Sequence, residues 1–197
     1  MFQNLAEDIA FLLITRKIIS VDERDIYMYG LEVILLNGSL LLVFLIISLL
    51  CGEMTNFWAY LVFFLPLRIF SGGYHAETSE RCFVLSTVMY VMSIAASSFL
   101  PFLYQSWQGR IIGVISVLVI LVSAPLVNKN NPLNQSQRKR NRIIICILLI
   151  IDLIFFILSC NCSWKIASNE LIFIIFDAVL LLMGRLPSRQ KEDNELS

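Results

Sequence analysis

A single histidine, His75, stands seven positions before a cysteine in the stretch Arg68-Ile69-Phe70-Ser71-Gly72-Gly73-Tyr74-His75-Ala76-Glu77-Thr78-Ser79-Glu80-Arg81-Cys82. A cysteine becomes a nucleophile as its thiolate, and a neighbouring imidazole is the usual base. On one unbroken helix, positions seven apart share a face but differ in height by about 10.5 Å, whereas proton transfer needs about 3 Å between heavy atoms. A working pair therefore requires the helix to break between them. Thr78 and Ser79 are good N-caps, so the next helix is expected to start there with Cys82 in its first turn. A helix N-terminus favours an anion. His75 would then precede the cap on a turn hinged at Gly72-Gly73, residues that can take backbone angles barred to others or approach a ligand closely. The plain alternative stays open: a loop histidine at the headgroup level and a small apolar cysteine opening a helix.

The elements that must position this pair are membrane spans. Of the 197 residues, 58% are hydrophobic and only 15% charged, against about 45–50% and about 25% in a soluble domain. Apolar stretches run over Leu31–Cys51, Met54–Phe70, Phe83–Tyr104, Ile111–Val127, Ile143–Cys160 and Ile166–Gly184, and a spanning helix takes about 20 apolar residues. The expected fold is an all-α integral membrane protein with about six transmembrane or re-entrant helices, forming one membrane-embedded domain over residues 1–197. The second stretch, interrupted by Pro66 and Arg68, is the candidate re-entrant hairpin. Before the spans, Phe2, Leu5, Ile9, Leu12 and Leu13 recur at helical spacing, predicting an amphipathic N-terminal helix within residues 1–24 that lies on the inner leaflet or against the bundle. Residues 185–197 read as a polar tail.

With both termini in the cytoplasm, thirteen of the fifteen basic residues fall inside and only Arg110 and Lys165 outside. This asymmetry is what the positive-inside rule requires. It places His75 and Cys82 at the cytoplasmic face of a multi-pass cell-membrane protein. The net charge of zero gives no footing for nucleic acid, and the first twenty residues carry Glu7 and Asp8 and lack the apolar core of a cleavable signal. Cysteines at 51, 82, 146, 160 and 162 have no zinc-ligand spacing, so neither a metal nor another cofactor is expected.

Arg68, Gly73, His75 and Cys82 at these intervals resemble the signature of the accessory gene regulator protein B family, membrane-embedded cysteine endopeptidases of Gram-positive quorum sensing. The stretch Ala124-Pro125-Leu126-Val127-Asn128-Lys129-Asn130-Asn131-Pro132 is similar to the family's segment at the end of the fourth span, with Lys129-Asn130-Asn131 where members often carry consecutive lysines. The resemblance implies a catalytic pair of His75 and Cys82, with Arg68, Gly72, Gly73, Pro125 and Lys129 contacting substrate. It implies that the partner is an autoinducer propeptide with an acidic C-terminal tail, and that two copies of the chain pair as a homodimer. Cys82 would cut off the tail and retain the peptide as a thioester for closure into a thiolactone or lactone. Glu77 and Glu80 are near enough to orient His75, and a dyad without a third carboxylate fits equally well.

Other features admit quieter readings. Arg68 at the inner end of a span anchors topology by snorkelling. The run Arg138-Lys139-Arg140-Asn141-Arg142 sets orientation and can also meet anionic membrane lipid or an acidic peptide tail. Asp152, Glu170 and Asp177 lie in apolar stretches, where a carboxylate is costly. They could hydrogen-bond between helices or belong to a site. A small transporter or channel without peptidase activity is the rival class, although its acids would be spread over several spans at matching depth. A noncatalytic membrane scaffold is a third.

Overall fold

In the computed structural model, the described residues are 2–72, 78–99, 106–126, 134–162 and 164–185, with backbone alone for 159–162 and 164. Among them the helices are α1 (Phe2–Thr15), a 3-10 turn (Val21–Glu23), α2 (Arg24–Cys51), α3 (Met54–Ala59), a π turn (Tyr60–Phe64), α4 (Leu65–Ser71), α5 (Ser79–Phe99), α6 (Trp107–Ser123), α7 (Gln135–Cys162) and α8 (Trp164–Arg185). Five helical runs are long and apolar enough to cross a membrane, and α6, at 17 residues, is a shorter apolar helix. Large hydrophobic side chains from Ile34 and Leu50 to Val122, Ile150 and Leu158 stand uncovered by protein. Such surface belongs in lipid. The chain is an all-α membrane protein.

The doubtful second stretch is one uninterrupted helical run from Met54 to Ser71, about 27 Å long at 1.5 Å per residue. Pro66 lacks an N–H, and its ring would clash with the carbonyl four residues back in a regular helix. The π turn directly before it, in which Leu65 N–H reaches back to Tyr60 O, widens the helix where that clash would fall. The run therefore passes the proline without turning back.

The contacts divide the chain into two compact units, Met1–Met54 with Ala76–Met92, and Thr55–His75 with Ser93–Ser197. In the first, α1 lies against α2 and buries Phe2, Ala6 and Ala10, while Leu5, Phe11 and Leu12 remain exposed. Phe2 of the expected apolar set faces protein, while Leu5 and Leu12 stay on the side open to the leaflet. The protein-facing side is the one whose small residues, Ala6 and Ala10, let two helix backbones approach. The helix also stops at Thr15, well short of residue 24. Lys17 takes φ 58, and bonds from Lys17 N to Ile14 O (2.8 Å) and Ile18 N to Leu13 O (3.0 Å) make a Schellman ending. Gly52 closes α2 in the same way at φ 68. Within this unit Phe44 stacks on Tyr90 at 4.1 Å, and Phe2 meets Phe83 at 5.7 Å.

In the second unit α8 is the central helix, with two-thirds of its apolar window buried against 17% for α7. Leu67, Ile120, Ala124, Ile145, Leu149, Ile174, Ala178 and Leu181 form its core. Phe173 of α8 packs on Tyr60 and Phe64, and Phe155 of α7 on Phe63. This explains why α8 carries Ser168, Asn169, Glu170 and Asp177, all buried: an interior helix can hold polar groups that a lipid-facing one cannot.

Candidate functional site

Cys82 belongs to the first unit. Thr78 caps α5: its Oγ1 accepts from Arg81 N at 3.3 Å, and its carbonyl from Cys82 N at 3.0 Å. The break expected at Thr78-Ser79 is present, and Cys82 lies in the turn just inside it as a free, half-buried thiol. Ser79, three residues earlier on the same face, donates from Oγ to the Glu32 carboxylate of α2. Sequence reasoning missed Glu32, which sits 47 positions from Ser79 in a stretch read only as a span.

The second unit assembles the other candidate segment. Arg68, in the last turn of α4, donates from Nη1 to Gly72 O at 2.5 Å and lies 3.9 Å from Asp177 Oδ1. Ser71 Oγ donates to the same Asp177 oxygen at 3.2 Å. Gly72 ends the helix at φ 72 and ψ −146, a region essentially restricted to glycine. A Cβ there would lie 2.9 Å from Leu126 O.

Leu126 belongs to the second stretch singled out by sequence. Pro125 pushes the residue before it out of helical geometry, so Ala124 is extended at φ −92 and ψ 151, and α6 ends at Ser123. The Ala124–Pro125 peptide is cis and Pro125 is buried. Leu126 N then donates to Ser71 O at 2.9 Å. A backbone hydrogen bond thus joins two stretches that are separate in sequence, 68–72 and 124–126. Arg185, at the end of α8, adds a bond from Nη2 to Val122 O at 3.1 Å. The ends of α4, α6 and α8 meet at one end of this unit.

Of the sequence-derived site residues, Arg68, Gly72 and Pro125 are therefore brought together, and Cys82 occupies the expected helix start in the other unit. Gly73, His75, Glu77 and Lys129 lie outside the described residues. Asp177 was suspected as a costly carboxylate, and its partners prove to be Arg68 and Ser71.

Comparison with known proteins places the chain in a family. A model of the accessory gene regulator B family matches residues 6–183. The chain is 25% identical over 187 residues to AgrB-like protein 2 of Clostridium perfringens (strain 13 / Type A), covering 89% of this chain and 87% of that one. It is also 25% identical over 186 residues to an AgrB-like protein of Clostridium perfringens (strain SM101 / Type A), covering 89% and 86%. Both of those names are provisional designations. No solved structure matches the chain significantly.

Proposed function

Because the chain belongs to the accessory gene regulator B family, we propose that it is a membrane cysteine endopeptidase that trims the acidic C-terminal tail from an autoinducer propeptide and passes the remainder on for ring closure. The observation that carries the reading is the placement of Cys82: a free, half-buried thiol one turn inside a capped helix start, seven residues after the single histidine.

In the proposed reaction His75 takes the proton of Cys82, and the sulfur attacks the scissile carbonyl carbon. The C–N bond breaks as His75 returns the proton to the leaving amine. The tail departs and the peptide stays as a thioester on Cys82. A side-chain thiol or hydroxyl of the bound peptide then attacks the thioester carbonyl. The C–S bond breaks, the proton returns to the site, and a thiolactone or lactone leaves. Arg68, Gly72, Gly73, Pro125 and Lys129 serve the peptide in this reading. The docking of 68–72 on 124–126 supports it by presenting the first and second candidate segments as one surface within their unit. Both termini and the site face the cytoplasm, as the distribution of basic residues favours.

The test uses the full chain in liposomes with a candidate autoinducer propeptide that carries an acidic C-terminal tail. Cys82→Ala should abolish tail removal, while Cys51→Ala and Cys146→Ala retain it. A propeptide whose ring-forming Cys or Ser is replaced by Ala should still lose its tail and remain on the enzyme as a hydroxylamine-labile adduct. Cleavage by Cys82→Ala, or tail loss with no adduct under rapid quenching, would overturn the acyl-transfer scheme.

A further inference from the structure

We propose that Asp177 is a positioning residue of this site: from α8 it holds Ser71 and Arg68, and through them it keeps segment 68–72 docked on segment 124–126. The inference rests on the peptidase reading and adds to it a residue outside both sequence segments.

Asp177 is fully buried. One oxygen, Oδ1, receives the Ser71 hydroxyl at 3.2 Å and faces Arg68 Nη1 at 3.9 Å. The same Arg68 nitrogen donates to Gly72 O, and the Ser71 carbonyl accepts from Leu126 N. Asp177 therefore acts on one side of the docked pair. It fixes the side chains of 68–72, and the backbone of that stretch then receives 126. The carboxylate stands beside Ile174, Ala178 and Leu181, all in the apolar core, where an aliphatic residue would satisfy packing alone. A buried ion pair is weak evidence for stability, since apolar replacements of such pairs are often as stable. Its presence here is better explained by geometry. Asp177 Oδ2, Asp152 Oδ2 and both Glu170 oxygens have no hydrogen-bond partner among the described residues, but Asp177 is held through Oδ1 by Ser71 and Arg68. Asp177 is the buried carboxylate that reaches the site.

Displacing a reacting group by about 1 Å can cost about 100-fold in rate, so loosening the 68–72 segment should act on kcat. The experiment compares wild type, Asp177→Asn and Ser71→Ala as full chains in liposomes, with a propeptide the wild type cleaves. Amide hydrogen exchange of residues 120–126 is followed in the same samples without substrate. The expected result for Asp177→Asn is a fall in kcat of about 10- to 100-fold with KM within about threefold. Exchange at Leu126 should accelerate by about tenfold or more. Ser71→Ala removes a single oxygen and should show the same pattern more weakly, which decides the matter if Asp177→Asn does not fold. A loss carried by KM, a loss of kcat without faster exchange at Leu126, or faster exchange with unchanged kcat would each overturn the proposal. Failure of the peptidase reading appears separately, as cleavage surviving Cys82→Ala. The exchange measurement needs no substrate and still reports whether Asp177 docks the two segments.

Discussion

Replacing Gly72 by alanine tests the docking of the two candidate segments with one methyl group. The residue sits at φ 72 and ψ −146, and holding an L-residue in such a region costs on the order of 1–3 kcal/mol. The new Cβ would also lie 2.9 Å from Leu126 O, a backbone atom that cannot swing aside as a side-chain tip would. To retreat, Leu126 must give up its 2.9 Å bond to Ser71 O, a further ~0.5–1.5 kcal/mol. Together these give about 2–4 kcal/mol against the docked arrangement, or about a 30- to 700-fold shift in its equilibrium with a released one. Tail cleavage in liposomes should fall at least tenfold in kcat/KM, with a lowered thermal midpoint in detergent. The matched control is Gly38→Ala in the middle of α2, where an added Cβ meets nothing within 4 Å. There the gain in helix propensity, up to about 1 kcal/mol, should leave activity intact and the midpoint equal or higher. Should Gly72→Ala retain wild-type cleavage and midpoint within error, the close approach of 72 and 126 is not part of the working structure.

Three further outcomes are expected. Lys17→Gly relieves a left-handed backbone at φ 58 and should raise stability by about 1 kcal/mol, read as a higher melting midpoint; a lower one would show that the Lys17 side chain matters more than its backbone. Glu32→Ala removes the acceptor for Ser79 and should slow tail cleavage several-fold by loosening the start of α5, with Glu32→Gln restoring much of it; equal rates for Ala and wild type would exclude this role. An impermeant maleimide should label Cys51 but not Cys82 in intact cells and reach Cys82 in inverted vesicles, and the reverse pattern would overturn the proposed orientation.

Hydropathy located the helices but missed their ends, for physical reasons visible in particular residues. The stretch read as Ile111–Val127 is a helix from Trp107 to Ser123. Ser106 caps it by accepting from Gly109 N at 3.0 Å, and Pro125 forces Ala124 out of the helix. Helix α7 starts at Gln135, eight residues ahead of the apolar run at Ile143. Asn134 opens it with its N–H on Gln137 Oε1 at 2.9 Å, half of a capping box. Hydropathy averages cannot see caps, and they discount the charged turns at a helix end. Arg24 and Asp25 extend α2 beyond its apolar run for the same reason.

The start of α5 was legible because a cap is a local signal, and Thr78 with Arg81 and Cys82 spans only a few residues. The partners of the other segment were not, because Ser71 and Asp177 are 106 positions apart and the bond from Leu126 to Ser71 is made by backbone. Depth in the membrane would have narrowed the choice. In an alternating bundle the ends of the second, fourth and sixth spans share a side. Asp177 lies eight residues before the end of α8 at Arg185, about 12 Å in, whereas Glu170 lies fifteen residues before it, about 22 Å in. Arg68 is three residues from the end of α4, with a side chain long enough to reach between turns. Of the two carboxylates on α8, only Asp177 is at a depth Arg68 can meet. A charge inside a span is therefore best read together with its distance from the nearest helix end, because that distance selects its partner.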